Sequence, residues 1–580
     1  METLHCDVAI IGGGPGGSTT GALLKKYAPE LEVAIFERER FPRDHIGESQ
    51  LPPIGVILDE MGCWDKVEAA NFPIKIGVTF RWGQSDKLWD FEILPVPDYK
   101  VEPRPRKFGE QTRRLALQVD RSIYDKILLD HAAELGCQVR QQTQVRTVQR
   151  DGDRVTGLVL DDGTRVEARH YIDASGNAAV LRRAVGVRVD APTKLQNVAF
   201  WDYWENAQWP TRFPADATRI LVLSIGAGWI WFIPITRTRT SIGFVCPAEY
   251  YKKQGKTPTE IYRWALEQEP LIAELTRNAG CSGKTQATKD WSFLSERMVG
   301  ENWMLVGEAG GFADPILSAG LTLTHTSARE AAYSIIAMER GEHDADWLKT
   351  HYERNQSTRI GQHIRFADFW YSANGIFTDL EEYTRAIADD AGLEFSPKRA
   401  FHWFATGGFT NDHLGQAGIG GLDLAGARQM SMRLLNQDAQ WQISRYNHFS
   451  LNLEGAQNEW VPAYENGRVI KVLTHVRGKR RLVEYGAFGK MIEMLKLEQD
   501  IARLMEKIMG APLAMDKQAY GKGPEQFFLQ ALEIMVNEGW VTGTLDPKRP
   551  VLNVGTPFEG RYIHTNAELN RKIAERGGPA

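Results

Sequence analysis

Cysteine is scarce in this 580-residue chain, and what there is of it is not arranged for chemistry. The five thiols, Cys6, Cys63, Cys137, Cys246 and Cys281, include no C-x-x-C pair, which excludes a disulfide framework or a zinc site as an organising feature. A reducing compartment is the matching expectation. Charge of one sign is also lacking: 69 basic against 74 acidic side chains leave a formal net charge of −5, which argues against nucleic acid as a partner. No apolar run approaches membrane-spanning length, and the opening METLHCDVAII reads as a first strand without the basic segment and cleavage site of a leader. The expectation is a cytoplasmic protein with no membrane partner. No internal repeat or low-complexity tract stands out. With 43% hydrophobic and 25% charged residues the composition is that of a soluble globular protein. Its length suggests roughly two to four packed units.

What the chain does have is a glycine cluster in a telling place. Asp7 to Glu37 reads DVAIIGGGPGGSTTGALLKKYAPELEVAIFE, an apolar run, a glycine turn, an Ala/Leu-rich helical segment and a second apolar run ending in an acid. That order is the βαβ unit that binds a dinucleotide. Gly12, Gly14 and Gly17 stand at G-x-G-x-x-G spacing, for a sharp turn, close approach to a pyrophosphate and tight helix–strand packing. The helix start presents unpaired N–H groups and a positive end to the phosphates. Glu37, at the end of the second strand, is placed to accept hydrogen bonds from an adenosine ribose.

Further along, Lys75 to Trp82 alternates as a strand. Residues 99 to 114 form a basic, proline-bearing loop, read as a solvated surface or as a docking patch for an acidic partner. Gln118 onward gives a strand and an amphipathic helix, then hairpins at Asp151-Gly152 and Asp161-Asp162-Gly163. Residues 190 to 285 are strand-rich and aromatic, and at Met304 the chain returns to a buried strand that runs into a helix containing Thr322 to Met338. Beyond about 345 the pattern is helical and irregular. The expected architecture is α/β: a Rossmann-like dinucleotide-binding domain (1–185 and 286–345), an inserted β-rich substrate domain (186–285) and a mainly helical C-terminal region (346–580).

The pieces Gly12–Gly17, Gln118–Arg121, Asp173–Gly176 (DASG) and Val306–Pro315 (VGEAGGFADP) occur in the order seen in FAD-dependent enzymes of the aromatic-hydroxylase class, a resemblance that implies a Rossmann-like FAD-binding domain of that class over 1–185 and 286–345. Two more narrow the resemblance. Trp229-x-Trp231-x-Ile233-Pro234 is similar to the W-x-W-x-I-P signature of flavin-dependent halogenases. Phe312-x-x-Pro315-x-x-Ser318-x-Gly320 resembles the segment that lies beside the flavin there and holds halide. With KIGVTFRWG at 75 to 83 and GESQLP at 47 to 52, the likeness over about residues 1 to 350 is to the branch acting on phenols, pyrroles or carrier-tethered acyl groups.

The resemblance implies a use of reduced FAD, dioxygen and chloride or bromide to make hypohalous acid, which travels to a lysine and halogenates an electron-rich substrate. Lys75 matches that lysine, and desolvation would let it lose its proton more easily. Ser318, Ala319 and Gly320 would hold the halide through backbone N–H groups, with Ala319 where many relatives have Ser or Thr. Trp229, Trp231, Ile233 and Pro234 would wall the flavin from the substrate, although on the residues alone two tryptophans on one face of a strand are more often sheet core. Glu308 replaces the usual Asp near the ribityl-phosphate, and Asp314 fits the flavin-side loop. Arg43, beside the Gly47 turn, and Arg121 read as phosphate or adenosine contacts or as surface cations. No second dinucleotide fingerprint is present, so a separate flavin reductase is the expected partner. Two alternatives stand beside this reading: an FAD monooxygenase or dehydrogenase with an open route from flavin to substrate, and a non-catalytic flavoprotein that binds a partner such as a carrier protein. His402, Trp403 and Phe404 are candidates for a substrate pocket or for core.

Overall fold

Val8 to Ile11 are buried without alternation, the pattern of a strand covered on both faces. In the computed structural model, which describes residues 2–82, 86–191, 196–371, 388–389, 393–394, 441–510, 524–552 and 563–575, they end β1 (Thr3–Ile11) at the middle of a parallel sheet. Helix α1 (Pro15–Tyr27) crosses from β1 to β2 (Val33–Phe36), and Pro15 sits at its first position, where no N–H is needed. Strand Arg165–Asp173 lies parallel on the other side of β1, and Trp303–Leu305 returns to pair with it. The hairpins continue the sheet through Arg154–Leu160 and Val145–Asp151, with Gly152 and Gly163 at positive φ in their turns. Helix Gly320–Glu339 packs its alanines, Ala328, Ala331 and Ala332, into the core shared with α1.

A second sheet stands over this domain. Gln196–Glu205, Arg239–Pro247, Gly228–Pro234 and Ala217–Ile225 run antiparallel, and β3 (Ile74–Arg81) adds parallel to the last. Strands Trp89–Glu92 and Ile563–Thr565 extend it, so the sheet draws on parts of the chain outside 186–285. One face carries Val78, Phe80, Ile220, Val222, Trp229 and Trp231. The opposite face carries Leu221, Leu223, Ile230 and Phe232, and helix Pro258–Glu267 covers it.

One irregularity positions the site. Thr218 lies opposite Lys75 but Arg219 lies opposite Gly77, so Ile76 is an extra residue, a β-bulge. Strict alternation would put Lys75 on the face of Gly77 and Thr79; the bulge turns it to the face of Val78, Phe80 and the tryptophans instead.

The described part of the last third is helices, Gly486–Leu497, Ile501–Gly510 and Pro524–Asn537, on a three-stranded antiparallel sheet of Gln457–Glu465, Arg468–Arg477 and Arg480–Val483. The sheet had no signal in the sequence reading. Arg329 ties it to the first domain by donating to the Tyr464 carbonyl at 2.8 Å. His402, Trp403 and Phe404 lie outside the described residues. No described helix is long and apolar enough to cross a membrane. In the basic loop, Arg104 donates to Glu68 at 2.8 Å and to the Phe72 carbonyl at 2.6 Å, so part of its charge is spent on the protein's own interior.

Candidate active site: a flavin cradle, a tryptophan wall and a buried lysine

A cavity of about 350 Å³ opens between the two sheets, lined at one end by Gly12, Gly14, Glu37 and Arg43 and at the other by Trp229, Trp231, Pro315 and Ser318. The glycine turn is built for close approach. Gly12 has φ +102° and a Cβ there would come within 2.5 Å of the Ala174 carbonyl oxygen, while one on Gly17 would strike the Gly12 carbonyl oxygen at 1.9 Å. A Cβ on Gly14 would meet nothing nearer than Arg43 at 3.5 Å, so this position borders open cavity. Glu37 is fixed by the Gly13 amide at 2.7 Å and the Glu39 amide at 2.8 Å, leaving each carboxylate oxygen a second lone pair. These features fit the adenosine and pyrophosphate of FAD.

Both candidate arginines border the cavity and are internal, not surface, cations. Arg121 grips Asp125 with two bonds, 2.6 and 2.9 Å, and donates to the carbonyls of Ile46 and Gly47 at 2.8 and 3.2 Å. Its first task is to pin the Gly47 turn, where φ is +97°, against the helix Arg121–Glu134. Arg43 Nη1 lies 3.2 Å from an Asp125 carboxylate oxygen, while its Nη2 borders the cavity beside Gly14, where a phosphate can reach the guanidinium. Glu308 lines the cavity, and burial raises its pKa against the pull of Arg121.

Trp229 and Trp231 line the other end, with ring centroids 6.0 Å apart. Trp229 Nε1 donates to the Tyr371 hydroxyl at 2.8 Å, which donates to Asp314 at 3.2 Å; Trp231 Nε1 donates to Ser241 at 3.1 Å. The wall is therefore held by hydrogen bonds as well as by packing. Ile233 also lines the cavity; Pro234 is buried at the strand's end and does not. Asp314 turns away from the cavity, capping the turn Pro315–Leu317 and anchoring the wall through Tyr371. Burial, aided by the nearby Asp368 carboxylate, pushes its pKa up to about 7.

Ser318 adopts φ +57° ahead of helix Gly320–Glu339, a bend that turns the chain so that Ala319 and Gly320 begin the helix. Amides in this first turn have no partner within the helix and are suited to an anion.

Lys75 is 1% exposed. Its Nζ donates to Ser49 Oγ at 2.8 Å, the Gln50 carbonyl at 3.2 Å and Ser318 Oγ at 3.3 Å, with no carboxylate in that set. Burial alone lowers its pKa from 10.5 to about 7. Ser49 and Ser318 line the cavity and Lys75 stands directly behind them. The sequence reading passed over Ser49 and Glu48, both inside GESQLP. Glu48 lines the cavity, accepts from Tyr203 at 3.3 Å, and is lifted to about 7 by burial. The signal was an acid next to a glycine turn, which by itself resembles any loop.

Fold and site define an FAD-binding oxidoreductase of the aromatic-hydroxylase architecture with a lysine sealed behind the flavin cavity. Residues 7–101 and 92–377 match the tryptophan halogenase family, and the chain belongs to it: it is a flavin-dependent halogenase, an enzyme that works with FAD and a halide. The chain is 31% identical over 404 residues to a 1H-pyrrole-2-carbonyl-(peptidyl-carrier protein) chlorinase of Pseudomonas fluorescens, covering 67% of this chain and 88% of that one. A tryptophan 2-halogenase of Chondromyces crocatus is 32% identical over 356 residues, covering 60% and 64%. Among solved structures, the flavin-dependent brominase Bmp2 is 28% identical with a TM-score of 0.55 over 63% of this chain and 87% of that chain. The flavin-dependent halogenase CmlS, 24% identical, shares the fold with a TM-score of 0.69 over 95% and 98%.

Proposed function

We propose that this enzyme halogenates an electron-rich aromatic or carrier-tethered substrate by passing hypohalous acid from the flavin cavity, between Ser49 and Ser318, to Lys75. Bound reduced FAD supplies, with dioxygen, the oxidising equivalents that convert halide to hypohalous acid. Gly12, Gly14, Gly17, Glu37, Arg43 and Arg121 hold the cofactor. The amides of Ala319 and Gly320 hold the halide. The two indoles keep the organic substrate off the cofactor, which disfavours direct oxygen insertion. A small neutral acid can cross from the cavity to Lys75 where a larger substrate cannot cross toward the flavin.

The observation that carries the reading is the bond from Lys75 to Ser318: one hydroxyl touches both the cavity and the buried amine. An ammonium titrating near neutrality can donate to the oxygen of hypohalous acid and leave the halogen electrophilic. Carrier-tethered pyrrole chemistry is favoured by the chlorinase likeness. Reduced FAD is taken to come from a separate reductase.

The test is product mass after incubation with a flavin reductase, FAD, bromide or chloride, and a panel of phenols and pyrrolyl-carrier substrates. Halogen-shifted products that vanish in Lys75→Ala support the reading. Hydroxylated products, or peroxide alone, across the panel would overturn it.

A further inference from the structure

Gln118 is fully buried, yet neither its amide nitrogen nor its amide oxygen has a hydrogen-bond partner among the described residues. Losing both bonds of a carboxamide costs a few kcal/mol, so native proteins rarely leave such a group without something to bind. Its place in the fold suggests what that is. Lys75 pairs with Ala116 and Ile74 with Leu117, and the Gln118 amide donates to the Pro73 carbonyl at 2.9 Å. Gln118 is two residues along from Ala116 and so shares the face of Lys75, while Leu117 and Val119 point the other way into the hydrophobic core. Ser49, the closest hydrogen-bond acceptor of Lys75, forms a β-bridge with Gln118. A carboxamide with free donors and a free acceptor therefore stands beside the buried amine and next to the serine that separates it from the cavity.

We propose that Gln118 is a catalytic residue of the transfer step, holding hypohalous acid beside Lys75 by donating an amide N–H to its oxygen and accepting its O–H. The inference rests on the reading of Lys75 given above. In that step the C–X bond forms as the O–X bond breaks, and the O–X electron pair stays on oxygen. Lys75 protonates that oxygen, which leaves as water, and the resulting neutral amine takes the proton lost from the substrate carbon. Substrate C–H and hypohalous acid are thus converted to C–X and water, with no further oxidant. Gln118 orients the O–X bond and keeps the acid from diffusing back.

The experiment compares wild type, Gln118→Leu, Gln118→Asn and Lys75→Ala as FAD-loaded full-length proteins. Each receives reductase and bromide without organic substrate, with taurine in bulk solution to trap escaped hypobromous acid as N-bromotaurine. FAD affinity is read from fluorescence quenching. The expected result for Gln118→Leu is unchanged FAD affinity and flavin reoxidation, with the trapped fraction raised about five- to tenfold, the worth of one to two hydrogen bonds. Gln118→Asn, which keeps the amide on a shorter stem, should fall between. A trapped fraction equal to wild type in both variants overturns the proposal. So does loss of FAD binding in both, which would make Gln118 a folding residue. Lys75→Ala separates the two ideas: if it leaves the trapped fraction unchanged while Gln118→Leu raises it, the role of Lys75 fails and that of Gln118 stands.

Discussion

The Lys75 ammonium donates to the Ser318 hydroxyl at 3.3 Å although 243 residues separate them in the chain. Lys75 is carried by a bulged strand of the second sheet and Ser318 by the loop that opens the long helix of the first domain. Their meeting joins the proposed halide loop to the proposed halogen acceptor.

Lys75 should cost stability in a pH-dependent way. Its pKa falls from 10.5 in the unfolded chain to about 7 in the folded one. Between those values the unfolded chain holds a proton that the folded chain has released, so stability rises with pH across the window; below about pH 7 the full cost of a buried ammonium is present. Lys75→Met should abolish halogenation yet stabilise the protein by about 1–4 kcal/mol near pH 6. That gain should shrink as pH approaches 10.5. Denaturation midpoints of both proteins at the two ends of the range check the sign.

Ser318→Ala removes the hydroxyl that touches both cavity and amine. Halogenated product per flavin reoxidised should fall about fivefold to tenfold, the worth of one charge-assisted hydrogen bond, with FAD affinity unchanged. An equal loss in FAD binding would assign Ser318 to the cofactor instead.

Glu308 faces the proposed halide loop: a Cβ on Gly320 would lie 3.8 Å from its carboxylate oxygen. Burial favours its neutral form, which does not repel an anion. Bromide affinity should therefore weaken as pH rises and Glu308 ionises. Glu308→Gln should bind bromide several-fold tighter at the alkaline end, about 1 kcal/mol, and lose the pH slope in a spectral titration of the bound flavin.

Trp229 carries the wall through Tyr371 and Asp314. Trp229→Ala should destabilise by about 3–5 kcal/mol through the cavity it leaves. It should also admit substrate to the flavin, seen as hydroxylated product above the wild-type level. Tyr371→Phe should loosen the wall without opening it, raising peroxide release by a few-fold at most.

The buried cation Arg219 pairs with Glu92 and lies 3.5 Å from Asp90, with His564 on the same carboxylates. Arg219→Met would strand two buried acids, and a loss of about 3–5 kcal/mol in urea denaturation is expected.

Much of this was legible in the amino-acid order because it depends on local chemistry. The turn at Gly12 needs φ +102°, the strand at Val8 to Ile11 is apolar without alternation, and Glu37 ends the next strand, so the cofactor half could be read from sequence. The spacing of Trp229 and Trp231 likewise fixed a shared face. The C-terminal sheet left no such trace, because its alternation is broken by charged residues such as Glu459 and Arg481, which pair with each other across the sheet while Glu459 also reaches Arg354.

What spacing could not supply is direction in space. Alternation along β3 assigns Lys75 to the wrong face, and only the pairing register, with one extra residue opposite Thr218–Arg219, turns it toward the tryptophans. The lowered pKa of Lys75, the retreat of Asp314 behind the wall and the unpartnered amide of Gln118 all follow from burial and from neighbours distant in the chain. The sequence by itself determined a dinucleotide cradle and a shared face for Trp229 and Trp231, because those are set by backbone conformation and side-chain periodicity. The tertiary structure alone decided which groups are dry and which of them touch, because solvation and distance are properties of the packed chain.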